Sequence, residues 1–235
     1  MKISVVIPVY REEGVALLLD DLARRADAGE AGRKEAVEII VVDGAPEGDT
    51  LRRIRDYPVL GVASPPGRGV QLNAGADAAS GDILLFLHAD TILPDNAFTL
   101  IRQTLNDPAI SGGAFSLAYE PRTPGLAFIA AAANLRSRFT RVPYGDQAIF
   151  VRAAVFAELG GFPAVPIMED LEFMTRLRRQ GRAIRILAMP ARTSARRQLR
   201  EGLLRCTLRN ICLRLLHHLG VAPEFLSRLY RRHGG

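Results

Sequence analysis

The chain has 235 residues, of which 48% are hydrophobic, so it is long and apolar enough to bury a core of its own. Its net charge of +6 is unevenly spread, because 15 of the 31 Lys and Arg residues but only 2 of the 25 Asp and Glu residues lie from Arg176 onward. This asymmetry indicates a phosphate-rich partner, an anionic membrane surface or a solvated helix face. Nucleic acid is disfavoured, because the basic region has no recognised motif and lacks interleaved aromatic residues.

The N-terminus and the cysteines predict a cytoplasmic protein. The apolar run after Met1 is short and ends at Pro8, unlike a secretory signal, and no run approaches the ~18 apolar residues that span a bilayer. Cys206 and Cys212 lie six residues apart on a predicted helix, where they cannot bridge, and no zinc-type spacing is present. A peripheral position at the inner face of the membrane stays open.

Buried strands alternate with helices over the first 110 residues. The pattern predicts strands over 3–9, 37–42, 59–63 and 83–87, and helices over 15–26, 49–56, 70–79 and from Pro94. Such alternation of continuous apolar strands with helices predicts a parallel sheet. Because ligands bind beyond the carboxyl ends of parallel strands, we expect the residues that follow these strands to share one rim. They are Tyr10, Glu12, Asp43, Arg68 and Asp90.

The pattern changes after residue 110. It predicts an antiparallel strand over 112–119, a helix over 125–139, a short apolar run over 148–151, a helix over 171–180 and a strand over 184–189. A long amphipathic helix is predicted over 199–219, with leucines along one side.

Six short segments occur in an order that is typical of one known family. They are 5–13 (VVIPVYREE), 40–44 (IVVDG), 68–75 (RGVQLNAG), 145–147 (GDQ), 160–162 (GGF) and 169–170 (ED). In this order they resemble the family 2 glycosyltransferases, inverting nucleotide-sugar transferases, over roughly residues 2–190. The segments 86–91 and 194–197 further resemble a small bacterial subgroup with a His-Ala-Asp metal motif.

The resemblance implies an α/β fold of the GT-A type: a Rossmann-like, mostly parallel central sheet flanked by helices. The implied transferase domain covers 1–193, with a nucleotide-binding half over 1–110 and an acceptor half over 111–193. Residues 194–235 then form a basic, amphipathic helical extension. That extension can lie on a membrane, pack on the core or meet a second subunit in a homodimer, and the sequence leaves these three open.

The resemblance implies a nucleotide site at the rim. Its residues are Pro8, Tyr10, Glu12, Asp43, Arg68, Asn73 and Ala89. The planar guanidinium of Arg68 suits a diphosphate. Alternatives stay open: Asp43 can cap the next turn, and Tyr10 can simply pack at the strand end. Gly44 stands where the family usually has a second Asp.

Asp90 is the predicted metal ligand, with His88 two residues earlier. A divalent ion bridging the diphosphate would stabilise the leaving nucleotide, and imidazole suits Mn²⁺ better than Mg²⁺. His88 can instead be a core histidine or contact the sugar.

Asp170 is the predicted base that deprotonates the acceptor hydroxyl, since the resemblance places it there. Asp146 is the second candidate, as base or acceptor contact, and Glu169 supports the sugar or the loop. The alternative for the acidic pair is simple capping of a helix. Arg196 and Arg197 are expected to contact the diphosphate or the acceptor, unless they are ordinary surface charges.

The sequence therefore predicts an inverting, metal-assisted transfer of a sugar from a nucleotide diphosphate sugar, UDP-linked, to a hydroxyl of an anionic or lipid-linked acceptor. Two alternatives remain. One is a sugar-phosphate nucleotidyltransferase, although the Gly-rich loop after the first strand is missing. The other is a non-catalytic nucleotide-sugar-binding protein.

Overall fold

The computed structural model describes residues 1–27 and 36–232, so the last three residues of the predicted extension lie outside the described part. The strands are β1 (Ile3–Val9), β2 (Val37–Asp43), β3 (Leu60–Ala63), β4 (Ile83–Phe86), β5 (Thr91–Ile92), β6 (Ile110–Glu120), β7 (Phe150–Arg152) and β8 (Ala183–Ser194). The helices are α1 (Val15–Asp27), α2 (Asp49–Arg53), α3 (Arg68–Asp77), α4 (Ala97–Leu105), α5 (Pro124–Thr140), α6 (Ala153–Glu158), α7 (Glu169–Arg179), α8 (Arg196–Glu201), α9 (Leu203–His218) and α10 (Pro223–Arg232).

The strands form one sheet in the order β3-β2-β1-β4-β7-β6-β8-β5. Strand β1 pairs in parallel with β2 and with β4, and β2 pairs in parallel with β3. The predicted parallel sheet is therefore confirmed, and the carboxyl ends of these strands lie at one edge. This edge is the rim on which the sequence places its polar residues.

The second half of the chain joins the same sheet. Strand β7 runs antiparallel to both β4 and β6, but β6 runs parallel to β8. The expectation of an antiparallel strand over 112–119 is thus correct for one neighbour and wrong for the other. The long β8 also pairs with the two-residue β5, which holds the end of β8 beside the segment that follows β4.

Helices cover both faces of the sheet. On one face, Ile3, Val5 and Ile7 pack with the apolar sides of α1 and α4. On the other face, Val6 packs in a second cluster that includes residues of α3, α6 and α7. Because both faces are covered, the inner strands are apolar throughout, as the sequence indicated. A third cluster joins β6 and α5 to the start of the C-terminal helices.

Several helix limits differ from the predicted ones. Helix α4 begins at Ala97, because the three residues from Pro94 form a turn closed by a hydrogen bond from the Ala97 N–H to the Pro94 carbonyl. Helix α3 begins at Arg68, so this arginine belongs to a first helical turn rather than to a loop. The long C-terminal helix is broken at Gly202, whose φ of 87° no helix accommodates, and α10 was not predicted.

Candidate active site

A small cleft lies at the rim, beyond the end of β4. Its polar walls are Arg68 from α3, His88 from the segment after β4, Gly145 from a single turn of 3-10 helix, and Asp170 from α7. Its apolar walls are Leu72, Phe86, Ile149 and Phe162. The space among them measures about 10 Å³, which is about the room that one water molecule needs.

Gly145 is the point on which the three polar side chains converge. A Cβ atom placed there would lie 2.4 Å from Arg68 Nη2, 2.8 Å from His88 Nε2 and 3.2 Å from Asp170 Oδ2. Only a residue without a side chain lets these groups approach one another so closely. The Gly-Asp-Gln segment thus leaves room for the cleft, because its first residue has no side chain.

Asp170 is held in one orientation by the backbone. Its Oδ2 accepts a 2.6 Å hydrogen bond from the Gly145 N–H, and its Oδ1 accepts one of 2.7 Å from the Leu171 N–H. The first turn of α7 favours negative charge at this position. Each carboxylate oxygen keeps a further lone pair, so Asp170 can also accept a proton at the cleft.

Glu169 pairs with Arg68 behind the cleft. The Arg68 Nε and the Glu169 Oε1 are 3.0 Å apart, yet the buried Nε–H of Arg68 makes no hydrogen bond to any described residue, so this is an ion pair without hydrogen-bond alignment. Burial raises the pKa of the Glu169 carboxyl, and the guanidinium of Arg68 opposes that rise. Glu169 therefore anchors Arg68 and leaves the Nη2 end of the guanidinium in the cleft.

His88 lines the cleft with a ring nitrogen that no described residue pairs. Burial, together with the positive charges of Arg68 and Arg197, lowers the pKa of its imidazole well below the usual range. Its Nε2 atom is buried and has no hydrogen-bond partner among the described residues. A buried polar atom without a partner is costly, and a ligand in the cleft would supply one.

Asp146 lies next to the cleft, and its carboxyl group interacts with the charged side chains there. Burial, and then the neighbouring carboxylate of Asp170, raises the pKa of Asp146 to about 6, although Arg136 and Arg68 act in the opposite direction. Its Oδ1 is buried without a partner among the described residues. Near neutral pH this carboxylate is thus close to its titration point.

Two arginines that the sequence analysis missed hold the loop before Gly145. The guanidinium of Arg136, on α5, lies 3.6 Å from the centre of the Tyr144 ring, and Arg214, on α9, donates a 2.9 Å hydrogen bond to the Tyr144 hydroxyl. Such stacking is a favourable cation–π contact. No sequence motif marks this contact, because its members come from three separate segments.

Asp43 has its carboxylate engaged by the backbone. Its two oxygens accept from the N–H groups of Ala45, at 2.9 Å, and Thr50, at 3.2 Å, and the residue is 1% exposed. It therefore caps the following turn, which was the alternative reading, and its contact with a nucleotide base stays a prediction.

The position of the Gln71 side chain accounts for a glycine at position 44. Its Nε2 donates to the carbonyls of Val9, at 2.7 Å, and Val42, at 2.9 Å, in the space beside Gly44. A Cβ atom at position 44 would lie 2.8 Å from the Gln71 side chain. A side chain at position 44, such as the second Asp that the family usually has, would therefore have to displace the Gln71 amide.

The Asn73 side chain is already hydrogen-bonded within the protein: its Nδ2 donates to the Phe162 carbonyl at 2.8 Å, and its Oδ1 accepts from the Phe162 N–H at 2.9 Å. Tyr10 is 53% exposed at the end of β1, and the Glu12 Oε1 accepts from the Gly14 N–H at 3.2 Å. Pro8 and Ala89 are partly buried at the rim. The part that these residues play in nucleotide binding stays a prediction.

Asp90 is exposed at the rim, so its carboxylate does not need a ligand to offset burial. Its carbonyl accepts a 3.1 Å hydrogen bond from the Ser194 N–H. This bond and the pairing of β5 with β8 bring the exposed Arg196 and Arg197 next to the Asp90 loop.

Comparison with known families decides the identity. The sequence model described as glycosyl transferase family 2 matches residues 4–147, more than half of the chain. The chain belongs to glycosyl transferase family 2. The matched part includes His88, Asp90 and the 145–147 segment, whereas Asp170 lies beyond it. No match was found among curated protein sequences.

Solved structures confirm the GT-A fold of this family 2 protein. Glucosyl-3-phosphoglycerate synthase from Mycobacterium tuberculosis, solved with Mn²⁺, UDP and glucosyl-3-phosphoglycerate, has a TM-score of 0.64 and 21% identity over 94% of this chain and 80% of its own. TarS from S. aureus has a TM-score of 0.61 and 18% identity over 83% of this chain. The mannosyltransferase PcManGT from Pyrobaculum calidifontis, solved with GDP-Man and Mn²⁺, has a TM-score of 0.57 and 18% identity over 82% of this chain and 56% of its own. The chain spans 37% of the length of the TarS chain.

The residues at the rim suit a divalent ion that is shared with a substrate. Asp90 offers an exposed carboxylate and His88 an unsatisfied ring nitrogen. Mg²⁺ and similar ions are commonly held by one or two carboxylates, with substrate phosphates and water completing the shell. Among residues 1–27 and 36–232, no group of three or more His, Cys, Asp or Glu side chains is placed to hold a metal ion.

Proposed function

We propose that this family 2 protein transfers a sugar from a nucleotide diphosphate sugar to an acceptor hydroxyl, with inversion at the anomeric carbon. The observation that carries the proposal is the convergence of Arg68, His88 and Asp170 on Gly145 at the carboxyl edge of a parallel sheet. That edge is where ligands bind in such sheets. In such a transfer a fixed carboxylate takes the proton of the acceptor hydroxyl, and a cation stabilises the departing diphosphate.

The proposed donor is UDP-linked. TarS has been solved with UDP and with UDP-GlcNAc, and the mycobacterial synthase with UDP, whereas PcManGT has been solved with GDP-Man. These likenesses support a nucleotide-sugar donor of either base, and UDP is the more frequent. The nucleotide would lie along the ends of β1 and β2, against Pro8, Tyr10, Glu12, Asp43, Asn73 and Ala89.

In the proposed step, Asp170 takes the proton of the acceptor hydroxyl while the hydroxyl oxygen bonds to the anomeric carbon. The bond from that carbon to the diphosphate breaks, and its electron pair leaves with the nucleotide diphosphate. Attack opposite the leaving group inverts the configuration, so no covalent enzyme intermediate forms. Asp146, in its ionised form, accepts a hydrogen bond from a neighbouring hydroxyl of the acceptor and so orients the attacking hydroxyl toward Asp170.

Positive charge stabilises the leaving group. The Nη2 end of Arg68 lies in the cleft, and Arg196 and Arg197 are exposed beside the Asp90 loop. A divalent ion, Mn²⁺ or Mg²⁺, would be held by Asp90 with His88 and would stabilise the negative charge of the departing diphosphate. Glu169 keeps Arg68 in place.

The acceptor is proposed to be anionic or lipid-linked, since 15 of the 31 basic residues lie from Arg176 onward. We assign donor binding to residues 1–110, acceptor binding to 111–193 and a supporting role to the extension from 194. We place the protein in the cytoplasm, with access to the inner face of the membrane. Among the described residues, no helix is both long and apolar enough to cross a bilayer.

Donor binding is tested first by thermal shift with UDP, GDP and their sugar conjugates, with and without Mn²⁺. We expect one nucleotide to raise the unfolding temperature in a metal-dependent way, and Asp90→Ala to abolish the metal dependence. Asp56→Asn, which changes a side chain that is 87% exposed, is the matched surface control. No shift with any nucleotide would overturn the proposal.

Catalysis is tested by turnover of the bound nucleotide sugar, with the anomer of the product assigned by NMR. Asp170→Asn should keep donor binding and lose turnover. If Asp170→Asn keeps full turnover, Asp170 is not the base. If the wild-type protein binds the donor without turning it over, with any acceptor or water, it is a binding protein. Release of pyrophosphate from a nucleoside triphosphate and a sugar phosphate would instead indicate a nucleotidyltransferase.

A further inference from the structure

Two neighbouring helices carry large apolar side chains that point into solvent. On α5, Phe128, Leu135 and Phe139 follow one side of the helix and are 77%, 58% and 80% exposed. On α9 the exposed apolar side chains are Leu204, Leu208, Ile211 and Leu215, and the exposed Leu219 directly follows the helix. Helices α5 and α9 contact each other, and we call these eight residues together the apolar surface.

The buried sides of the same helices are already used for folding. Helix α5 buries Leu126 and Ala130, and α9 buries Cys206 and Leu213. The apolar surface is therefore additional to what the fold needs, and residues 1–27 and 36–232 leave it exposed. Exposed apolar side chains in such number on two neighbouring helices favour a site of interaction with a partner or a membrane.

The charges on these helices identify the partner. Helices α5 and α9 contain no Asp or Glu, whereas Arg138 and Arg205 are exposed on them and Arg141 directly follows α5. Two copies joined through this surface would bring arginine against arginine. An anionic lipid surface supplies both phosphates for the arginines and an acyl region for the apolar side chains, as amphipathic basic helices require.

We propose that the apolar surface of α5 and α9, with its flanking arginines, docks the protein onto an anionic membrane. The surface is coupled to the cleft, because Arg214 of α9 and Arg136 of α5 both hold Tyr144, the residue before Gly145. Docking would therefore place the acceptor side of the cleft near the lipid headgroups. This last consequence rests on the proposed function, whereas the docking itself does not.

The test is co-sedimentation of the full chain with vesicles of phosphatidylcholine alone and with vesicles that also contain phosphatidylglycerol. We expect binding to the anionic vesicles only, weakened at about 1 M salt, where the Debye length falls to about 3 Å. The double variants Phe128→Ser with Phe139→Ser, and Leu208→Ser with Ile211→Ser, should each weaken binding at least about tenfold. The matched control is Leu17→Ser on α1, where an apolar side chain is 78% exposed outside the apolar surface.

Vesicle binding by the wild-type protein tests the proposal even if a variant does not fold. Absence of binding to anionic vesicles, or equal binding to neutral and anionic vesicles, would overturn the proposal. A dimer in light scattering that the double variants abolish would assign the surface to a second copy instead, and would also overturn it. No donor or acceptor is present in this assay. A negative result would therefore overturn the docking proposal alone, and the nucleotide thermal shift would still test the proposed function separately.

Discussion

Replacing Gly145 by alanine tests the proposed cleft most directly. A carbon atom needs about 3.5 Å from its neighbours, whereas the new methyl group would start 2.4 Å from Arg68 Nη2 and 2.8 Å from His88 Nε2. Arg68 must then retreat by about 1 Å. The backbone itself tolerates alanine, because φ at Gly145 is outside the left-handed region.

The effect should fall on activity far more than on stability. A misplacement of about 1 Å in a catalytic group can cost about 100-fold in rate. Overpacking costs about 1–3 kcal/mol in a rigid core, but the Arg68 side chain is 39% exposed and can move. We therefore expect a loss of about 1 kcal/mol in the free energy of unfolding together with a loss of about 100-fold in kcat.

The assay is turnover of the nucleotide sugar that thermal shift identifies, with thermal unfolding of the same samples. Gly61→Ala is the control, because its new methyl group meets only the flexible end of Leu51, at 3.0 Å, on the edge strand β3. If Gly145→Ala keeps a third or more of the wild-type rate, the convergence on Gly145 does not form the catalytic cleft.

Three further predictions concern carboxylates. Asp146→Asn should remove the acidic limb of the pH profile of kcat/KM, because the pKa of Asp146 is about 6 and its ionised form is the active one; a limb that persists in the variant would show that another group titrates. Asp90→Ala should remove the Mn²⁺ dependence of nucleotide binding and change the metal-free stability by no more than about 0.5 kcal/mol, since the side chain is exposed; an unchanged Mn²⁺ dependence would contradict its role. Burial favours a higher pKa for Glu38, but hydrogen bonds from Lys2, Ser4 and Ser80 outweigh it and lower that pKa to about 2. Because the folded-state value lies below the unfolded one, Glu38 should stabilise the protein above about pH 4 and progressively less as the pH falls toward 2. Glu38→Gln should therefore cost about 1–2 kcal/mol at pH 7 in thermal unfolding and little near pH 2, and an equal cost at both pH values would refute the reasoning.

Much of the fold of residues 1–110 could be predicted from the sequence, because its signals are local. The β-branched run over Ile3–Val9 favours a strand that is buried on both faces. Because parallel strands are usually joined by a helix, the alternation of strands and helices indicates parallel pairing. Because parallel strands have their carboxyl ends on the same edge of a sheet, the position of the rim and several of its residues could be predicted as well. Residue order alone also placed Glu169 and Asp170 at the start of a helix.

Only the tertiary structure decided which of these residues meet. Arg68, His88, Gly145 and Asp170 are far apart in the chain, and they converge because β7 and β6 join the same sheet and α7 packs beside α3. Gly202 ends a helix that the leucine pattern alone would continue. Local sequence sets the backbone pattern through short-range sterics and periodic burial, whereas contacts between distant segments depend on how whole elements pack, and no single segment encodes that packing.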